Sequence, residues 1–217
     1  PTAAPATQAP ATIAAPATTA APAPQPAAPQ AAPAHAAHAN DPAATTYEAL
    51  QIREAPARVT MIDPNIRLGF IAGKEGPYRA RIERMIARAD IVKLSDEDLH
   101  WLSGSGDVAQ LARAILAQGP KLVFITEGAA GARAVTATQN RFVAAQKVTV
   151  ADTVGAGDTF NAGALASFHE AGALTKARLA ALTDAELDAA LTLGEPDFAG
   201  KAACEFGELG GGACMQS

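Results

Sequence analysis

The stretch "VADTVGAGDTFNAGAL", residues 150–165, decides the fold because it joins an extended run to a helix through three small residues and an acid. Gly155, Ala156 and Gly157 leave their peptide N–H groups uncovered by side chains. A helix that begins at Gly157 directs its free amide donors and the positive end of its dipole to one point. Such a point binds an anion, and phosphate is the anion that we expect there.

Asp158 follows in the first turn of this predicted helix. The helix dipole stabilises the ionised form of an acid in that turn, so Asp158 is a candidate base for a hydroxyl placed beside the phosphate. The pattern therefore indicates phosphoryl transfer to an alcohol. Spacing alone leaves a second interpretation open, a glycine-rich turn in which Asp158 only starts the helix.

Outward from this stretch, strand and helix patterns alternate. Short apolar runs predict buried strands at "RVTMID" (58–63), "DIVKL" (90–94) and "KLVFIT" (121–126). Helical spacing predicts amphipathic helices in 77–90 and 107–119 between them. This alternation predicts an α/β protein with a mostly parallel sheet.

The remaining elements complete the predicted layout. Two extended runs, 133–138 and 141–150, predict a hairpin at the sheet edge that turns at Gln139 and Asn140. Helices are predicted over 157 to about 171, 175–181 and 184–193.

Composition divides the chain. The first forty residues carry no charged side chain, and their apolar content is alanine apart from Ile13. Such a segment buries too little surface to offset its chain entropy, and Ala-Pro pairs favour polyproline-like extension. We expect a disordered segment over 1–45, a folded domain over 46–193 and an irregular, glycine-rich tail over 194–217.

Charge and hydropathy limit the partners. The net charge of −5 and the isoelectric point near 5.4 argue against a nucleic-acid surface, which needs clustered Lys and Arg. The sequence has neither a signal-peptide pattern at its start nor an apolar run long enough for a bilayer. We therefore expect a cytoplasmic protein without a membrane partner.

The chain resembles the ribokinase-like, PfkB-type carbohydrate kinases at four stretches that follow the family's order. "DTVGAGDTFNAGAL" (152–165) resembles its C-terminal signature, and "MIDPNIR" (61–67) its Asp-x-Asn-x-Arg segment. "VKLSDEDL" (92–99) is similar to its Asn-x-x-Glu region, and "VFITEGAAGA" (123–132) to its nucleotide loop. The resemblance implies a three-layer α/β/α fold and ATP-dependent phosphorylation of a sugar. "DPNIR" and "KLSDED" look most like bacterial fructokinases, with 2-keto-3-deoxygluconate kinases as the alternative.

The resemblance also implies roles for the matching residues. Asp158 would be the base for the sugar hydroxyl, and Gly155, Ala156 and Gly157 would form the anion hole for the transferring phosphate. Asp98 would act on Mg²⁺ through water, which suits a cation that keeps part of its hydration shell. The residues implied to line the nucleotide and phosphate site are Thr126, Gly128, Gly131, Arg67, Asp152 and Thr153.

Several of these positions have a plainer interpretation. Asp98 stands where the family has glutamate and Ser95 where it has asparagine, and both side chains also fit a simple helix cap. Taken alone, Arg67 fits a surface arginine better than a site residue, although its guanidinium suits a phosphate. The segment at Thr126 alone is equally a turn that ends a strand.

The resemblance covers approximately residues 47–193. The family's N-terminal portion supplies the first strands and most sugar contacts, and the Ala/Pro-rich segment does not resemble it. We therefore expect a kinase domain that is incomplete at its N-terminus and that has a sugar substrate and either a homodimeric partner or a complementary half. The alternative is an inactive fragment that binds nucleotide weakly or serves as a partner-binding module.

Overall fold

The computed structural model describes residues 43–145 and 155–194. Asp152 and Thr153, two of the residues implied to line the phosphate site, lie outside these ranges. The same holds for residues 1–42 of the predicted disordered segment, for 146–150 of the second hairpin run and for residues 195–217 of the predicted tail.

Helices and strands alternate through the first described range. Their bounds are α1 (Ala43–Glu54), β1 (Met61–Ile62), α2 (Leu68–Ile71), α3 (Glu75–Ile86), β2 (Ile91–Ser95), α4 (Asp96–Ser103), α5 (Val108–Leu116), β3 (Leu122–Thr126), β4 (Gly131–Val135) and β5 (Asn140–Ala144). A 3₁₀ turn, Gly128–Ala130, connects β3 to β4. The second described range holds α6 (Ala156–Glu170), α7 (Lys176–Leu179) and α8 (Asp184–Gly194).

The sheet follows the chain, in the order β1-β2-β3-β4-β5. β1 pairs with β2, and β2 with β3, in parallel. β4 pairs antiparallel with β3, and β5 pairs antiparallel with β4. The sheet is therefore mixed, with a parallel part that carries the predicted hairpin at one edge. Because parallel strands end at the same edge, the carboxyl ends of β1, β2 and β3 lie side by side.

Each face of the sheet is covered by one apolar cluster. On the first face, Val92, Leu94 and Ile125 pack with buried residues of α3 and with Ala112 and Ile115 of α5. On the opposite face, Phe124 packs with residues of α6 and α8. This arrangement is the three-layer α/β/α fold that the resemblance implies, and the fold class is confirmed.

The predicted helices and strands are present with small shifts. The four residues predicted to share the buried face of α3, which are Tyr78, Ile82, Met85 and Ile86, are all buried. β1 is shorter than the predicted run 58–63 because Thr60 donates its backbone N–H to the Asp90 carboxylate instead of to a neighbouring strand.

The hairpin turn is displaced from its predicted position. Asn140 pairs with Val135 in the ladder, so the loop covers residues 136–139 rather than Gln139 and Asn140. The Thr136 hydroxyl accepts the backbone N–H of Gln139 at 3.0 Å. The loop therefore ends at Gln139, one residue before the predicted end of the turn at Asn140.

The first helix is an addition to the predicted elements. α1 begins at Ala43, inside the segment predicted to be disordered, and Ala44 is buried. Glu48 accepts hydrogen bonds from Arg81 and Arg84, which attaches α1 to α3. Within the two described ranges, no helix has the length and apolar character needed to cross a bilayer.

Candidate functional site

The first turn of α6 is open to solvent. Gly155 is its N-cap residue and has φ 82°, a left-handed conformation that glycine adopts without steric cost. Because glycine has no side chain, the N-cap residue itself cannot accept the first amide N–H groups of the helix. Gly155, Ala156 and Asp158 are exposed. The amide donors of this turn and the Asp158 carboxylate therefore lie together on an accessible surface.

Polar side chains gather where β1 and β2 run towards this turn. Asp63 directly follows β1, and Lys93 lies within β2. The Nζ atom of Lys93 is 3.1 Å from Oδ2 of Asp63, and the two side chains are only 7% and 14% exposed. The ion pair is therefore largely shielded from solvent at the carboxyl edge of the sheet.

Gly157 brings α6 against this ion pair. A Cβ atom built on Gly157 would lie 3.0 Å from Nζ of Lys93 and 3.8 Å from Oδ2 of Asp63. Even an alanine at this position would therefore require the ammonium group to shift by a few tenths of an ångström. Gly157, which is predicted to form part of an anion hole, therefore lies against the buried ammonium group.

Asn161 completes the group one turn further along α6. Its Nδ2 donates to Oδ2 of Asp63 at 2.9 Å, and its Oδ1 is buried without a hydrogen-bond partner among the described residues. We call Asp63, Lys93 and Asn161 the carboxylate cluster. The cluster links the end of β1, the middle of β2 and the start of α6.

Asp98 lies in the first turn of α4, the helix that follows β2. It is 5% exposed, and its Oδ1 accepts the backbone N–H of Ile66 at 3.2 Å. Burial raises the pKa of Asp98, and the Asp63 charge raises it further, whereas hydrogen bonds with Ser95 and Ile66 and the Lys93 charge oppose the shift. Ser95 is the N-cap residue of α4 and accepts the Asp98 backbone N–H at 3.0 Å.

Tyr78 of α3 closes the interior side of this region. Its hydroxyl donates to the backbone oxygen of Pro64 at 3.2 Å. Burial, together with the charges of Asp98 and Asp63, raises the pKa of Tyr78 to about 12. The phenol therefore remains protonated at neutral pH and holds the segment between β1 and α2.

Asp98 supplies a carboxylate, a ligand type that magnesium prefers, but the residues described around it do not form a complete set of metal ligands. The described ranges contain no group of three or more His, Cys, Asp or Glu side chains placed to hold a metal. Mg²⁺ keeps several waters and binds through one or two carboxylates together with substrate phosphates. The buried Asp98 carboxylate fits contact with such an ion through water, because a nearby cation would offset the cost of its burial.

The predicted nucleotide loop follows β3. Thr126 ends β3 and pairs with Ser95 of β2, which places this loop beside the start of α4. Gly128 is exposed with φ 55°, and no atom of the described residues lies within 4 Å of a built Cβ. A Cβ on Gly131 would lie 2.1 Å from the backbone oxygen of Val143, so the hairpin itself requires glycine there.

Arg67 lies on the surface between β1 and α2. Its side chain is exposed, and Nη1 donates to the backbone oxygen of Ile66 at 3.1 Å. Ile66 in turn donates its N–H to Asp98, so the backbone connects Arg67 to the buried carboxylate.

The structure brings some predicted site residues together and adds others. Gly157 contacts the carboxylate cluster, and Thr126 lies beside Ser95 in the sheet register. The analysis of the sequence did not single out Asp63, Lys93 or Asn161. A lysine inside the apolar strand "IVKLS" is the signal that points to them, because lysine is rarely buried without a partner.

The solved structures that match this fold include a fructokinase and an aminoimidazole riboside kinase. The fructokinase from Vibrio cholerae O395, in its form bound to fructose, ADP and calcium ion, matches with a TM-score of 0.61 and 28% identity, over 73% of this chain and 51% of its own. The aminoimidazole riboside kinase from Salmonella enterica, complexed with aminoimidazole riboside and an ATP analog, also matches with a TM-score of 0.61 and 28% identity, over 74% and 52%.

Sequence relatives agree with these structures. The fructokinase of Rhizobium leguminosarum bv. trifolii is 52% identical over 146 residues, which are 67% of this chain and 44% of that protein. The chain spans about half the length of the relatives that it matches. The family model of the pfkB family carbohydrate kinases matches residues 10–194, so the match begins earlier than residue 47, where the resemblance was expected to start. With this match over most of its length, the chain belongs to the pfkB family of carbohydrate kinases.

Proposed function

We propose that this chain carries the nucleotide-binding and phosphoryl-transfer part of an ATP-dependent sugar kinase of fructokinase type. One observation carries the proposal: the exposed first turn of α6 presents its backbone amides beside an exposed Asp158. The free donors at a helix N-terminus suit a phosphate, and the neighbouring carboxylate suits a hydroxyl.

In the proposed mechanism, Gly155, Ala156 and Gly157 bind the oxygens of the transferring phosphoryl group. The sugar hydroxyl oxygen forms a bond to the terminal phosphorus, the bond between that phosphorus and the ADP oxygen breaks, and Asp158 accepts the hydroxyl proton. Because the amides are already oriented, they stabilise the charge that develops on the phosphoryl oxygens without reorganising.

The nucleotide side of the site is proposed to include Thr126, Gly128 and Arg67. Gly128 leaves open space at the end of β3, where a backbone can approach phosphates closely. Mg²⁺ would neutralise phosphate charge when bound, and Asp98 would hold it through water.

Fructose is the first substrate to test. The relatives in support are named fructokinases, and one solved neighbour was crystallised with fructose and ADP. Another was crystallised with aminoimidazole riboside, so a riboside belongs in the panel as a second acceptor.

The test measures ADP release in a coupled assay with Mg²⁺-ATP and a panel led by fructose. We expect turnover in the wild-type chain and a loss of at least about a hundredfold in Asp158→Asn, the range that removal of a general base commonly produces. Asp184→Asn, which removes an acid from the first turn of α8, is the matched control and leaves turnover unchanged.

Two results would contradict the proposal in different ways. Turnover that survives Asp158→Asn removes the assigned base but leaves the kinase. ATP binding by calorimetry without turnover on any sugar instead supports the alternative of an inactive nucleotide-binding fragment.

A further inference from the structure

Lys93 is a buried charge that the proposed mechanism does not use. It lies in the central part of β2, is 5% exposed, and has Val92 and Leu94 as fully buried neighbours. Burial of an ammonium group is costly unless the charge is paired. The pair with Asp63 offsets this cost but does not explain the lysine, because buried ion pairs often stabilise a fold less than apolar residues of similar size.

The position of the ammonium group indicates why a lysine is buried in this strand. It lies beneath Gly157, at the end of α6 where the helix dipole is already positive. Two positive ends brought together repel each other, and Asp63 supplies one nearby negative charge. A terminal phosphate above the turn interacts favourably with both positive groups, so the arrangement is stabilised when the anion is present.

We propose that Lys93 is a positioning residue of the phosphate site, which supports the first turn of α6 from beneath and strengthens its hold on the terminal phosphate of a nucleoside triphosphate. This inference rests on the proposed function. Lys93 acts through the backbone of Gly157, and Asp63 and Asn161 fix its ammonium at that place. The charge of Asp63 weakens the attraction to phosphate as it anchors the lysine.

Lys93 and Asp63 carry opposite charges, so replacing each of them should shift the affinity for ATP relative to ADP in opposite directions. A purely structural role of the ion pair would not produce opposite shifts. Lys93→Met removes the attractive charge and leaves Asp63, so affinity for ATP relative to ADP should fall roughly tenfold, the order expected from one unit charge acting across about 10 Å at an effective dielectric constant of about 20. Asp63→Asn removes the opposing charge and should shift the same ratio towards ATP. Both variants lose stability, because each breaks the pair.

The measurement is calorimetric titration of ATP and of ADP in EDTA, so that no divalent cation contributes. Lys176→Met is the matched control. Lys176 forms an ion pair of 2.8 Å with Asp90, just before the opposite end of β2, and its loss should leave the ATP-to-ADP ratio unchanged. If either single variant does not fold, the double variant Asp63→Asn/Lys93→Met, which has no charge in the pair, should still prefer ATP less than the wild type does.

The outcomes separate this inference from the proposed function. Opposite shifts in the two single variants support it. Equal shifts in the same direction, or an unchanged ratio in Lys93→Met and in the double variant, overturn it while the kinase proposal stands. A wild-type chain that binds neither nucleotide, in EDTA or with Mg²⁺, overturns the proposed function, and the role of Lys93 with it.

Discussion

Asn161 of α6 donates a 2.9 Å hydrogen bond to Oδ2 of Asp63, a residue 98 positions earlier in the chain. The same oxygen lies 3.1 Å from Nζ of Lys93. One carboxylate oxygen therefore connects β1, β2 and α6, and it does so where the carboxyl ends of the parallel strands meet. This connection attaches the N-terminal part of α6 to the strands of the sheet.

Asn161→Ala should weaken this connection and destabilise the fold. The side chain is partly buried, and its loss leaves Asp63 with one partner fewer, so we expect a decrease of about 1–2 kcal/mol in the free energy of unfolding. Urea denaturation followed by circular dichroism measures it. Asn140→Ala, which removes an exposed asparagine that accepts from Arg133, is the matched control and should cost less. Equal losses in both variants would show that Asp63 does not depend on Asn161.

Two glycine substitutions should change stability in opposite directions. A Cβ on Gly163 would lie 2.2 Å from the backbone oxygen of Leu193, so Gly163→Ala must push α6 away from α8 and should cost about 1–3 kcal/mol. Gly76, in α3, has no atom of residues 43–145 or 155–194 within 4 Å of a built Cβ, and Gly76→Ala should stabilise the protein by roughly 0.5 kcal/mol. Thermal unfolding compares them, and a stable Gly163→Ala protein would contradict the tight packing of α6 on α8.

Local patterns in the sequence predicted the central elements well. The apolar spacing of α3, the Ser95 cap and the three parallel strands were all predictable because each depends on residues that are neighbours in the chain. α1 was not predicted, because its sequence "AATTYEALQIRE" has no clear apolar face and its attachment depends on Glu48 reaching α3.

The carboxylate cluster could not be predicted for a related reason. Asp63 follows β1, Lys93 lies in β2 and Asn161 lies in α6, and only the fold brings the three together. The first turn of α6 was predictable because Gly155, Ala156, Gly157 and Asp158 are consecutive. The ammonium beneath it was not, since β2 looks like any buried strand apart from one lysine. Asp152 and Thr153 lie outside the described residues, so their roles stay predictions.

The dependence of the free energy of unfolding on pH should reveal the raised pKa of Asp98. Its pKa is raised above the usual value near 3.8, mainly by burial, so the native state holds the proton more tightly than the unfolded chain does. Between the usual and the raised pKa, the native state therefore binds more protons, and this group makes stability fall as pH rises. Above the raised pKa the loss is complete, and below pH 3.8 it disappears.

Asp98→Asn isolates this contribution, because asparagine retains an oxygen that accepts the Ile66 N–H. Urea denaturation at a series of pH values from about 3 to 7 should show that the variant gains stability relative to the wild type as pH rises. Glu48 and Asp188, whose pKa values are lowered by hydrogen bonds from arginines, produce the opposite slope but are common to both proteins. A difference between the two proteins that does not change with pH would contradict the raised pKa.

A comparison of two helix N-cap residues, Ser95 and Asp107, tests whether Ser95 only caps its helix or also contributes to nucleotide binding. Ser95 caps α4 and Asp107 caps α5, each by accepting one backbone N–H, at 3.0 Å and 2.9 Å. Ser95→Ala and Asp107→Ala should therefore each cost about 1 kcal/mol in the free energy of unfolding. Ser95 also orients the Asp98 carboxylate, so only Ser95→Ala should weaken the binding of Mg²⁺-ATP in calorimetry. Equal nucleotide affinity in the two variants would reduce Ser95 to a helix cap and would remove the support for Asp98 as a magnesium residue.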